Sequence, residues 1–80
     1  MSSEDNRARI KRKLCEIMNI DEIGDDRAPL VDLGFNSMLA IRFVVELEIM
    51  FGLTVEDDEL QLDNFSTVER IDSFVTRKTS

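Results

Sequence analysis

Apolar residues fall at spacings of three and four over several stretches of the chain and lose that rhythm between them. In "SSEDNRARIKRKLCEIMNI", Ala8, Ile10, Leu14, Ile17 and Met18 approximate one face of an amphipathic helix. This predicts a helix over residues 4–18, with Ser3 or Asp5 as its cap. "SMLAIRFVVELEIMF" predicts a second helix over 37–51, stopped by Gly52. "VEDDELQL" predicts a short third helix over 56–61. "STVERIDSFVTRK" predicts a fourth over 67–77. There Ser66 and Glu69 have the spacing of a capping box, Val68, Ile71, Phe74 and Val75 form a stripe, and Arg77 and Lys78 suit the negative end. The intervening "DEIGDDRAPLVDLGF" carries Gly24, Pro29 and Gly34 and no helical period. It reads as a long ordered loop pinned by Ile23, Leu30, Val31 and Leu33, and loops of this length in small domains are usually functional. The expected fold is one all-α domain over residues 1–80, a four-helix bundle with a long loop before the second helix and a short third helix.

The second helix has more apolar surface than a bundle position requires. At 100° per residue, Ala40, Phe43, Val44, Leu47, Met50 and Phe51 share one arc, which suffices for a core stripe. Met38, Ile41, Val45 and Ile49 fall on another, flanked by Arg42 and Glu46 on one side and Glu48 on the other. Either helices cover that second stripe or it meets another protein. The pattern by itself leaves both open.

Charge changes the picture in one respect. The formal net charge is −7, but residues 1–18 carry Arg7, Arg9, Lys11, Arg12 and Lys13 against three acids, while residues 19–72 carry fourteen acids against three arginines. An acidic body repels nucleic acid and anionic membrane and attracts basic protein surfaces. The basic cluster is expected to be a solvated helix face, because no aromatic stacking residues lie near it. No apolar run has the length of a membrane span, and "MSSEDNRARIKRK" lacks the apolar segment of a secretory signal. The lone Cys15 makes no internal disulfide, which fits a reducing cytoplasm, and its place on the apolar side of the first helix suits core packing.

Candidate chemistry narrows to Ser37 in "DLGFNSMLAIRF". A serine nucleophile needs a base, and the chain has no histidine. A helix N-terminus favours a nearby anion by only about 0.3–1 kcal/mol, too little to ionise a hydroxyl. No catalytic residue is assigned. "DEIGDD" lacks the spacing of a calcium loop, and no Cys/His cluster exists for zinc, so no metal site is expected. Asn36 and Ser37 are both good helix caps. Ser37 is also placed for attachment: a phosphodiester there would set its charge beside unpaired backbone N–H groups.

"DLGFNSM" resembles the attachment motif of acyl and peptidyl carrier proteins, usually D-L-G-x-D-S-L, and "ELEIMFG", "VEDDEL" and "FSTVERIDSFV" follow in register. The similarity runs over roughly residues 8–76. It implies that Ser37 accepts 4′-phosphopantetheine from coenzyme A, transferred by a phosphopantetheinyl transferase. The terminal thiol would then hold an acyl, aminoacyl or peptidyl thioester for a loading enzyme and downstream synthase, condensation or tailoring enzymes. It further implies that the second stripe is exposed, with Met38, Ile41 and Val45 as apolar contacts, Glu46 and Glu48 as acidic ones, and Arg42 beside them. Asn36 replaces the usual aspartate, Met38 the common leucine, and Arg42 stands where fatty-acid carriers usually have an acid. The expectation is a free-standing, monomeric, cytoplasmic carrier of a polyketide, nonribosomal-peptide or hybrid pathway, engaging neither nucleic acid nor membrane. A fatty-acid or D-alanyl carrier is the alternative, and a small acidic adaptor with Ser37 as a cap or phosphosite is the reading from another class.

Overall fold

Three α-helices carry the architecture. The computed structural model describes the backbone of residues 3–79 and the side chains of residues 6–79. In it α1 spans Ser3–Met18, α2 Ser37–Phe51 and α3 Val68–Thr79, and no strand occurs among the described residues. The fold is all-α, as the periodicity predicts. The expected four helices reduce to three, because the third becomes two single 3-10 turns, Asp57–Glu59 and Leu62–Phe65. The run Glu56, Asp57, Asp58 and Glu59 explains why. Aspartate is a poor helix former, and the run's one like-charge pair at helical spacing, Glu56 and Glu59, opposes an α-turn by a few tenths of a kcal/mol. Leu60 then leaves helical geometry (φ −79°, ψ 65°), which lets the second turn drop Phe65 into the core.

Ile10 and Leu14 from α1, Phe43 and Leu47 from α2, and Val68 and Ile71 from α3 are wholly buried and meet in one core. Each such side chain contributes about 1.5–3 kcal/mol of transfer free energy. Phe65 and Phe74 meet edge to face at 5.4 Å, and Phe35 and Phe43 at 6.3 Å. Ala8, placed on the apolar face by its spacing, is exposed, while Ile17 and Met18 are half-buried at the margin of the core. α1 ends where Asn19 turns left-handed at φ 57°, a conformation asparagine tolerates better than most side chains. Ser3 and Asp5, the expected caps, both lie within α1, and their side chains are outside those described.

The loop from residue 20 to 36 is held by its backbone as much as by its side chains. The Leu30 N–H donates to the Ser66 carbonyl at 2.8 Å, and the Glu69 N–H donates to the Asp26 carbonyl at 2.9 Å. These two bonds stitch the loop to the start of α3. Ile23 and Leu30 are buried as expected, but Val31 and Leu33 are exposed, and Phe35 takes the inward place instead. The reason is a 3-10 turn over Leu30–Leu33, closed by Gly34 in the left-handed region at φ 105°. At three residues per turn Val31 points about 120° away from Leu30, Leu33 falls over Leu30 but stays only partly covered at the end of the turn, and the glycine redirects the chain inward at Phe35. The cap of α3 is Thr67, whose Oγ1 accepts from the Arg70 N–H at 3.1 Å. Ser66 instead donates to the Asp63 carbonyl, so the capping box expected from Ser66 and Glu69 is not formed.

The basic cluster of α1 is a solvated face only in part, at the exposed Arg12. The Arg7 guanidinium donates to Asp72 at 2.8 and 3.2 Å and to Asp26 at 3.0 Å, and Lys11 also pairs with Asp26. Asp72 is buried, and the four groups bind α1, the loop and α3 together. Lys11, more than Arg7, holds the Asp26 carboxyl below the usual carboxylate range. Arg9 donates to the Met50 carbonyl at 2.9 Å and stacks 4.6 Å above the Phe51 ring, where its charge suits the C-terminus of α2.

Candidate functional site

Ser37 is the first residue of α2, and its neighbour decides what its hydroxyl is free to do. Asn36 is in the extended region (φ −144°), and its Oδ1 accepts from the Leu39 N–H at 3.0 Å. Of the two candidate caps in the sequence, the helix therefore uses Asn36. The Ser37 side chain is exposed, and its Oγ has no hydrogen-bond partner among the described residues. The first turn of α2 contains no acid of its own to compete for its amides. An exposed hydroxyl at an uncompensated helix N-terminus suits a phosphodiester tether. Among the described residues no base is hydrogen-bonded to it, as activation of a serine nucleophile would require.

The row Ser37, Ala40, Ile41 and Val44 follows the helical repeat down one side of α2. With Leu60, Leu62 and Phe65 of the 3-10 segment it encloses a groove of about 170 Å³ whose lining is mainly apolar. Ser37 stands at its rim. The sequence pattern does not disclose this groove, because it forms only where the irregular segment after α2 folds back along the helix. A larger hollow of about 510 Å³ lies between α1 and residues 19–23, lined in part by Cys15, Asp21 and Glu22. Burial, then the charges of Asp21 and Glu22, push the Cys15 thiol up, which keeps it protonated and unreactive.

The second stripe of α2 is uncovered. Met38 is 79% exposed, Ile41 63%, Val45 50% and Ile49 73%, whereas Ala40, Phe43, Val44 and Leu47 are buried. Val31 and Leu33 of the loop, and Leu60 and Leu62 beyond α2, are exposed apolar residues too. The charges expected beside the stripe part company. Arg42 is exposed. Glu46 is half-buried and lies 3.7 Å from Lys13. Glu48 is half-buried, and its Oε2 accepts from the Val55 N–H at 2.9 Å, which fixes the turn that leaves α2.

With that geometry in place, the likeness to known proteins is specific. The profile of the family described as "Phosphopantetheine attachment site" matches residues 8–72. An acyl carrier protein of Aster yellows witches'-broom phytoplasma (strain AYWB) is 41% identical over 49 residues, a stretch covering 61% of this chain and 62% of that protein. The chain thus spans about three fifths of that relative's length.

Proposed function

The chain belongs to the phosphopantetheine-attachment family, with its covalently bound 4′-phosphopantetheine, and from that premise we propose that Ser37 is the attachment residue of a non-catalytic carrier. The single observation that carries this reading is the Ser37 hydroxyl, exposed at the head of α2 and released from capping by Asn36. A phosphopantetheinyl transferase joins the phosphate of the arm to Ser37 Oγ, releasing the nucleotide part of coenzyme A. The arm, when bound, supplies a thiol that holds the cargo as a thioester. The protein's own residues present Ser37 at an electropositive helix end, give the apolar part of arm or cargo a groove to lie against, and offer α2 to the enzymes served.

The cargo is acyl, aminoacyl or peptidyl, and the pathway we favour is polyketide, nonribosomal peptide or a hybrid of the two. Arg42 on the exposed side of α2 supports dedicated partners over housekeeping fatty-acid enzymes, while the likeness to an acyl carrier protein supports an acyl cargo. No helix among the described residues is long and apolar enough to cross a membrane. The adaptor reading keeps only the phosphosite role for Ser37, since Asn36 is the cap. Incubation with coenzyme A and a promiscuous transferase should add one phosphopantetheine mass to the wild-type chain and none to Ser37→Ala, with both melting alike. An unchanged wild-type mass across several transferases would refute the assignment.

A further inference from the structure

α2 contains three charged side chains, Arg42, Glu46 and Glu48. Both acids have contacts within the molecule: Glu46 lies 3.7 Å from Lys13, whose nearer partner is Glu16 at 2.8 Å, and Glu48 accepts from the Val55 N–H. Arg42 is exposed and has neither ion pair nor hydrogen bond among the described residues. At 100° per residue it lies about 20° around the helix from Ile49 and about 40° from Met38. The one charge of α2 with no contact of this kind among the described residues is therefore positive, and it borders the exposed apolar stripe.

We propose that the enzymes docking on α2, the loading transferase included, present an apolar patch bearing a carboxylate opposite Arg42. The recognition charge of this helix is thus cationic in a chain of net charge −7. This rests on the carrier reading above. Covering Met38, Ile41, Val45 and Ile49 strips water from the neighbouring guanidinium. A partner carboxylate compensates that loss, an uncharged patch leaves the cation unpaired, and a basic patch adds repulsion. The exposed acids on other elements, Asp32 and Asp57 among them, shape a longer-range field that salt screens over about 8 Å. The contact charge on the docking helix is the arginine.

The test is the transfer of phosphopantetheine from coenzyme A by two transferases, one with acidic and one with basic side chains rimming its carrier-docking patch. The wild-type chain should have the lower KM with the acidic-rimmed enzyme. Arg42→Glu should reverse the preference, moving the ratio of the two KM values roughly tenfold with kcat within about twofold, and Arg42→Gln should fall between. Melting of the variants should match wild type, because Arg42 holds nothing in the fold. Loading of all three chains with an unmoved KM ratio would overturn the inference and leave the carrier reading intact. If neither enzyme loads the wild-type chain, the carrier reading falls and this inference with it.

Discussion

The two flanks of the molecule handle their side chains in opposite ways. Where α1 meets the loop and α3, charged groups are drawn inward and matched: Arg7 and Lys11 reach Asp26, and Arg7 continues to the buried Asp72. Along α2 and the 3-10 segment, apolar groups are turned outward and left uncovered, from Met38 to Ile49. A domain organised for stability alone would do the reverse in both places, since burying charge is costly and exposing Ile forfeits transfer free energy. On the carrier reading, the contrast separates two duties. The ionic flank fixes how the loop, and hence Asn36 and Ser37, meets the bundle, while the apolar flank is left for partners to cover.

The comparison can be broken at several points. The greatest loss of stability should come from the shared core that supports both flanks. Phe43→Ala removes a wholly buried ring and should cost about 3–5 kcal/mol, a large part of the roughly 4–12 kcal/mol expected for a chain of this size. Urea unfolding measures it, and a cost under 1 kcal/mol would mean that the ring has little hold on the core.

The ionic flank comes next. Arg7→Met leaves Asp72 buried without its partner and should cost about 1–3 kcal/mol near neutral pH, less than a fully buried pair because Arg7 is itself about one-third exposed. Its signature is in the pH dependence. The folded-state pKa of Asp26 is depressed, so its contribution is complete above the unfolded value, near 3.9, and is lost as pH falls through the folded value. The gap between wild type and Arg7→Met should therefore narrow in acid. A gap that holds constant from about pH 7 to about pH 3 would show that Arg7 acts by packing rather than by charge.

The smallest effect belongs to the apolar flank. Ile49→Ser changes a side chain that is 73% exposed and should alter stability by less than about 0.5 kcal/mol. On the carrier reading, it should raise the KM of the loading transferase. A marked loss of stability would mean that the stripe helps to hold the fold.

Some of this was legible in the chain because its causes are local. α2 begins and ends as its sequence predicts, because a capping asparagine precedes it and Gly52, at φ 63°, follows it. Its two apolar arcs follow from helical geometry alone. The two alternative caps at residues 36 and 37, and the apparent capping box at Ser66, were decided by backbone geometry that side-chain identity does not reveal. Val31 and Leu33 misled for a related reason, since apolar character shows that a residue can be buried, not which way a 3-10 turn points it. The basic face of α1 was illegible in another sense. Asp26 and Asp72, which absorb Arg7, lie 19 and 65 residues away along the chain.

By itself, then, the sequence determined the helical class, the extent of α2, the carrier-type motif around Ser37 and the surplus of apolar surface on one helix, all of which depend on neighbours within a turn or two. Tertiary structure alone decided that the surplus stays uncovered, that a groove opens beside Ser37, and that Arg7, Arg9 and Lys11 of α1 are spent inside the molecule while Arg42 is not. Each of these depends on which distant segment comes to rest against which face, and that is settled by packing across the whole chain.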